Sequence, residues 1–397
     1  MRVALVNNFF PPRASGSAHL TEELASRLAA RGTEVLVVTA AFGDAPAEEE
    51  RDGYRVVRLP SRTIPRTKLA FNFDVSLTAS PRNLRRLFRL LDEFAPDVIH
   101  QHGQFFDLTF MSSWYARRRR IPTVLSVHTR LEHPTRPFGV LLWLGDVTLV
   151  RAFVALSRPH VVVMDRPMHD YIRRRYAITE ERLVPIPVGV EPTRFAEADG
   201  HAVRERLGLG ERPILLSLGH VIPVRDRLAL VESLPHLVEK RPDVAVVVVG
   251  TVYDDRFRRR AEELGVADRL VLTGGIPKDE VPEYLAAADV EAHDLQGYGL
   301  GTASLEVMAA GVPVVSVVDP ANFPGVELRS WENLVIVPPD DPRALAEAFV
   351  RLLDDRALAA RIGAGQQRLI ERHFTLDVVT DLHAELYERL AADRSTG

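Results

Sequence analysis

The chain has no cysteine in 397 residues. That excludes disulfides, thiolate zinc sites and a cysteine nucleophile. Lysine is nearly absent as well, occurring only at Lys68, Lys240 and Lys278. Arginine carries the remaining positive charge, which reads as a mark of a GC-rich genome rather than of function. The shortage of lysines also disfavours a pyridoxal Schiff base. Long hydrophobic runs are missing too: the longest, near Phe138 to Val150, is interrupted by Gly145 and Asp146 and reads as too short to cross a bilayer. The first strand is expected from Arg2, which leaves no room for a signal peptide and makes the cytoplasm the expected compartment. Low-complexity stretches are absent.

What is present is the makeup of an ordinary globular protein, 46% hydrophobic and 26% charged, long enough for two domains. Net charge is −4, distributed unevenly. Residues 1–190 hold 27 Arg and Lys against 19 Asp and Glu, a net +8, and the remainder holds 23 against 35, a net −12. Such asymmetry points to different partners for the two halves.

Short β-branched runs recur, each followed by a turn and an amphipathic helix. In the first half they are 3–6, 34–39, 98–100, 122–127 and 161–163; in the second, 213–218, 244–249, 269–273, 314–318 and 334–336. Helices are expected over 18–31, 82–93, 229–240, 256–264, 281–288 and 343–353. This alternation predicts parallel sheets covered on both faces, in two Rossmann-like domains. The boundary is expected in the proline-rich stretch Pro185 to Pro192. A last helix, 380–392, carries Leu382, Leu386, Tyr387 and Leu390 at helical spacing. Ligands of such sheets bind at the carboxyl ends of strands, so two facing domains would form one cleft.

The segment 297–316, GYGLGTASLEVMAAGVPVVS, runs from a glycine-broken loop into an apolar helix and then a strand. Gly297, Gly299 and Gly301 permit tight turns and close approach, Thr302 or Ser304 can cap the helix, and Gly311-Val312-Pro313 ends it. First-turn N–H groups and the helix dipole would make an anion cradle, with Glu306 nearby for a sugar's hydroxyls. The alternative is a buried helix with an ordinary glycine turn.

The segment resembles the signature of the retaining, nucleotide-sugar-dependent glycosyltransferases of family 4. There a Glu, then Gly-aromatic-Gly, precedes a second Glu followed by Ala-Met-Ala-x-Gly-x-Pro-Val-Val. The run from Glu306 to Val315 matches the second half; Gly299-Leu300-Gly301 stands at Gly-aromatic-Gly and Tyr298 where the first Glu is expected. The resemblance spans Val3 to Tyr387 and implies the α/β GT-B fold. Its acceptor-binding domain would be 1–190, its nucleotide-sugar domain 191–375, and 376–397 a helix packing back on the first. It implies that Glu306 holds the donor ribose and that Tyr298 lies against the transferred sugar.

Other elements carry further parts of the resemblance. The long connection from Asn7 to Ala18 is similar to the family's first loop, in which Gly16 would approach donor phosphates; a tolerated insertion is the alternative. His128, just past the run 122–127, would contact the transferred sugar or the acceptor, or be a structural strand-end histidine. His100-Gln101-His102 has metal-ligand spacing, but no third ligand follows and the resemblance implies transfer without a bound metal or other cofactor. In Leu218 to Asp226 the family's Gly-Arg, four residues, Lys-Gly is replaced by His220 and Arg225. Both would face the donor diphosphate, with Arg227 available to supply the missing charge. Ile276, after Thr273-Gly274-Gly275, would adjoin the nucleotide base. Asp289 and Asp294 flank the strand before the cradle and receive no role.

Helix 82–91 places Leu84, Leu87, Phe88 and Leu91 on one face amid four arginines, and Arg117 to Arg120 form a second cluster. These could lie on an anionic membrane surface or be the solvated face of a core-packed helix. No aromatic platform for nucleic acid accompanies them. The implied activity is retaining transfer from a UDP- or GDP-sugar to a lipid, glycan or small-metabolite hydroxyl, catalysed with His128, Arg225 and Glu306. A nucleotide-sugar 2-epimerase and a binding protein without turnover share the architecture.

Overall fold

The computed structural model describes residues 1–13, 15–64, 74–132, 136–223, 225–292, 294–296 and 300–396. The chain forms two compact units, one of Met1–Pro187 with Leu376–Gly397, the other of Val188–Thr375.

The first unit is built on an eight-stranded sheet ordered Leu183–Pro185, His160–Val163, Thr123–Ser126, Val98–His102, Arg2–Asn7, Glu34–Ala40, Tyr54–Leu59, Glu48–Arg51. All neighbours are parallel except the last pair. Alternation of side chains sorts the core into two faces. Val3, Leu5, Val98 and Val124 pack under helices Gly16–Ala30 and Leu376–Thr396. Ala4, Val6 and Ile99 pack under Pro81–Phe94 and Asp107–Arg119. The same face continues as Leu125, Val161 and Val163 under the helices that contribute Val150, Val154 and Met168. The last helix buries Val379, Leu386, Tyr387 and Leu390, and Asp377 pairs with Arg27 and Arg31 at 2.8 and 3.1 Å.

Two details differ from the sequence reading. Helix Pro81–Phe94 buries Asn83, Leu87, Leu90 and Leu91, leaving Leu84 and Phe88 at its margin. Asn83 turns inward because its Nδ2 donates to Pro60 O and Thr78 O, at 2.7 and 2.6 Å. Gly145 and Asp146 do not interrupt a helix either. Arg136–Gly145, the π-helical turn Asp146–Val150 and Arg151–Ser157 are continuous, and the 22 residues are long and apolar enough to cross a membrane by length and composition.

The second unit has the parallel order Leu270–Gly274, Ala245–Val249, Ile214–Leu218, Val290–Glu291. It continues through the Glu291–Val314 bridge to Val315–Ser316 and Val335–Ile336. Two of these strands are followed at once by a glycine with positive φ, Gly219 at 127° and Gly250 at 142°, and a third ends on one, Gly274 at 72°. At Gly250 a Cβ would sit 2.4 Å from Gly219 O, so the strand ends can converge only without a side chain there.

Helix Thr302–Ala309 ends at Gly311, whose φ of 78° reverses the chain. Helix Arg356–His373 crosses that turn so closely that a Cβ on Gly363 would lie 2.0 Å from Gly311 O. Gly363→Ala is therefore expected to force the helices apart and cost about 1–3 kcal/mol. A thermal melt indistinguishable from wild type would contradict this packing.

Candidate functional site

In the second unit the candidate groups converge at the carboxyl ends of the parallel strands. The loop after Leu218 is closed by Gly219 N to Val249 O at 2.8 Å, Val221 N to Thr251 O at 3.0 Å and Arg225 N to Ile222 O at 2.8 Å. Arg227 locks it from beneath. Only 1% exposed, Arg227 donates from Nη1 to Arg225 O at 2.8 Å and from Nη2 to Gly219 O at 3.0 Å. Burial lowers its pKa to about 10, with buried Glu291 acting in the opposite sense, so it stays a cation at neutral pH. Its engagement with the loop corrects the expectation that Arg227 replaces a missing donor-facing charge. It shapes the loop instead.

Arg225 and His220 are both exposed. His220 Nδ1 accepts from Thr251 N at 3.1 Å, which leaves Nε2 as the protonated nitrogen of the neutral ring. Burial, then the charge of Arg225, lower its pKa, so His220 offers a neutral donor and the exposed positive charge of this loop belongs to Arg225. Arg225 Nη2 reaches the start of helix Thr302–Ala309: a Cβ on Gly301 would be 3.8 Å from it.

Gly301 is the helix N-cap, with φ −78° and ψ 175°, and no side chain caps the first turn. This corrects the expectation that Thr302 or Ser304 caps it; Ser304 is buried. Leu305 N bonds Gly301 O at 3.1 Å, and buried Leu300 anchors the approach to the helix. Glu306 is half-buried in the second turn rather than the first, beyond the reach of the dipole that would explain an acidic residue there. Tyr298 and Gly299 lie outside the described residues. Ile276 is half-buried against the core two residues past strand Leu270–Gly274. Asp289 proves structural, accepting from Arg204 Nη2 at 2.9 Å and Ile214 N at 2.8 Å. Gly250 escaped the sequence reading. Its signal was there: Leu218-Gly219, Val249-Gly250 and Thr273-Gly274 each set a glycine directly after an apolar strand.

In the first unit the long loop after Asn7 is built rather than loose. Asn7 Nδ2 donates to Thr21 Oγ1 at 2.9 Å, Asn8 Nδ2 to Asp107 Oδ1 at 2.6 Å, and buried Arg13 to Ser76 Oγ at 2.8 Å while stacking on Phe9. Ser15 caps helix Gly16–Ala30 by accepting from Ala18 N at 3.1 Å. Gly16 is exposed, and a Cβ there would meet nothing within 4 Å, so the fold itself does not demand glycine.

His128 ends a ladder of histidines. Its Nε2 shares a hydrogen bond with His102 Nδ1 at 3.0 Å, the rings nearly parallel. His102 lies tilted against His100 at 4.2 Å, and His100 stacks on His383 at 5.4 Å. His100 bonds Tyr387 Oη at 2.5 Å and Ser126 Oγ at 2.8 Å. Burial lowers all four pKa values, reinforced by repulsion from neighbouring histidines at His100, His102 and His128 and opposed at His383 by its bond to Val379 O, to about 4 for His128 and His383. Among the described residues no three His, Asp or Glu side chains form a metal-ligand set.

With this geometry in view, the comparisons decide the family. Residues 14–194 match the model described as Glycosyltransferase Family 4, and residues 201–368 that of Glycosyl transferases group 1. A GDP-mannose-dependent alpha-(1-6)-phosphatidylinositol monomannoside mannosyltransferase of Mycolicibacterium smegmatis is 31% identical over 94% of this chain and 93% of its own. The chain belongs to the family 4 glycosyltransferases. A D-inositol 3-phosphate glycosyltransferase of Xylanimonas cellulosilytica is 28% identical, covering 93% of this chain and 91% of its own. The sucrose-phosphate synthase of Thermosynechococcus elongatus superposes with a TM-score of 0.71 at 22% identity, covering 99% of both chains, and its likeness is to the fold, GT-B. This glycosyltransferase thus carries a strand-end loop that exposes His220 and Arg225.

The histidine ladder makes the enzyme acid-sensitive. The unfolded chain takes up protons as pH falls through about 6.5, whereas the folded ladder resists them. Stability present above that value is therefore expected to fall as pH drops towards about 4, the folded value of His128 and His383. Melting temperatures measured across this range should decline, and the His100→Gln/His383→Gln variant should flatten the decline. An unchanged slope would refute the assignment.

Proposed function

We propose that the enzyme is a retaining hexosyltransferase that moves a sugar from a nucleoside-diphosphate sugar to an acceptor hydroxyl without needing a bound metal. The observation that carries this reading is the meeting of Arg225 Nη2 with Gly301 at the uncapped start of helix Thr302–Ala309, one turn before Glu306. A guanidinium and free first-turn amides form an anion site that suits a diphosphate. A carboxylate at Glu306 suits the two hydroxyls of the ribose. Ile276 lies where the resemblance sets the base, and Tyr298, Gly299 and Leu300 precede the cradle. His220 supplies a neutral hydrogen bond to a phosphate oxygen.

In this mechanism the bond from the anomeric carbon to the diphosphate breaks while the acceptor oxygen bonds from the same face. The acceptor proton passes to the departing phosphate oxygen. Negative charge gathers on the leaving diphosphate, where Arg225 and the helix amides stabilise it, and this electrostatic contribution supplies most of the catalysis. Gly16 and His128 in the first unit keep the roles the resemblance gives them, towards donor phosphate and towards sugar or acceptor.

The relatives favour a GDP-hexose as donor and an acceptor carrying a phosphorylated inositol, free or in a lipid. Titration with GDP-, UDP- and ADP-sugars, with and without a chelator, followed by mass spectrometry and anomeric analysis, tests each part. Retained configuration undisturbed by chelation is the expected result. Inversion would overturn the mechanism, an isomerised free sugar would indicate an epimerase, and binding without turnover a sugar-binding protein.

Arg225→Ala and Glu306→Ala should each weaken donor binding by about 1.5–3 kcal/mol, the range for hydrogen bonds to charged groups. Calorimetry showing wild-type affinity in both folded variants would remove the donor-site assignment.

A further inference from the structure

The continuous helical segment of residues 136–157 is apolar on two sides and uses only one within the domain. Leu142, Asp146, Val150 and Val154, four residues apart, are buried. Val140, Leu141, Trp143, Leu144, Leu149 and Leu156 face outward, Leu149 at 58% and Leu156 at 63% exposure. So many large apolar side chains on one surface strip mark an interaction site.

The strip adjoins arginines. Phe153 docks edge-on against Phe110 at 4.5 Å, and Arg117 Nη1 donates to Leu156 O at 3.3 Å. Trp114, itself exposed, packs on Phe88 at 5.6 Å and under Arg118. Arg85, Arg89 and Arg118 line a shallow groove of about 580 Å³ there, with Leu84, Phe88 and Trp114 as its apolar members. The acidic members are Asp92, which pairs with Arg119, and Glu93. Helices Pro81–Phe94, Asp107–Arg119 and Arg151–Ser157 all cover the same sheet face.

We propose that residues 136–157 lie flat in the surface of a bilayer containing anionic phospholipid, the outward leucines and Trp143 among acyl chains and the flanking arginines among headgroups. Charge decides this occupant: a second copy packed about a two-fold axis would set this arginine rim against itself, whereas anionic headgroups complement it. The segment lies on the membrane rather than spanning it because its inner face is held by the domain. The buried Asp146 carboxylate accepts from Tyr171 Oη at 2.6 Å and Tyr176 Oη at 2.5 Å, bonds that a spanning helix would lose. This inference does not rest on the donor-site reading.

The test is flotation of the full chain with vesicles of phosphatidylcholine alone and of equimolar phosphatidylcholine and phosphatidylglycerol. Binding to the anionic vesicles is expected, with Leu149→Glu/Leu156→Glu reducing it by about tenfold or more and Arg85→Ala/Arg89→Ala reducing its salt dependence. Both variants should keep the wild-type melting temperature and nucleotide-sugar affinity, since neither pair lies in the donor site. Absence of wild-type binding to anionic vesicles, or full binding by the leucine variant, would overturn the proposal. So would a dimer in light scattering that the leucine variant abolishes, because the strip would then be an interface between copies.

Discussion

The second unit depends on one buried guanidinium. Arg227 is almost wholly enclosed, yet two of its nitrogens reach the carbonyls of Gly219 and Arg225. A buried cation is tolerated when its donors are engaged and a carboxylate stands near, and here Glu291 provides that field. The loop it closes sets the exposed Arg225 beside Gly301, so the placement of the outer arginine follows from the inner one. Two arginines only two residues apart thus have opposite environments and different tasks. Lysine could not do the inner one, since a single ammonium lacks the fork that spans both carbonyls.

The first unit solves a different problem with uncharged groups. His100 bonds Tyr387 of the last helix and Ser126, His102 bonds His128, and ring contact between His100 and His102 joins the two pairs from the sheet interior to His128. Stacking and hydrogen bonding fix the His128 ring before any ligand arrives. Positioning by a supporting layer is what gives a site its precision. The C-terminal helix therefore belongs to the architecture of the first unit through His383 and Tyr387 as well as through its leucines.

Much of this was legible in the sequence, for identifiable reasons. Buried parallel strands are continuous β-branched runs, and the run from Glu306 to Val315 carries a pattern dense enough to name a family. Strand Glu48–Arg51 was hidden because an edge strand made of Glu and Arg has no apolar signature, and Tyr54–Leu59 because two arginines interrupt its short apolar run. The role of Arg227 was hidden because an arginine in a loop looks the same whether it faces solvent or backbone carbonyls. Gly145 and Asp146 looked like a break because local propensity says nothing of a π-turn whose aspartate is held by two tyrosines 25 and 30 residues later. In each case a long-range partner overrode the local rule.

The contact between Gly363 and Gly311 ties positions 52 residues apart, one closing helix Thr302–Ala309 and the other within helix Arg356–His373, which packs on it. Gly363 cannot acquire a side chain while Gly311 keeps its path, and the φ of 78° at Gly311 independently favours glycine there. Divergence within this lineage must therefore change position 363 only together with the path of the turn at 311. A relative that carries a larger residue at position 363 should show a displaced backbone at 311, and so a shifted end to helix Thr302–Ala309.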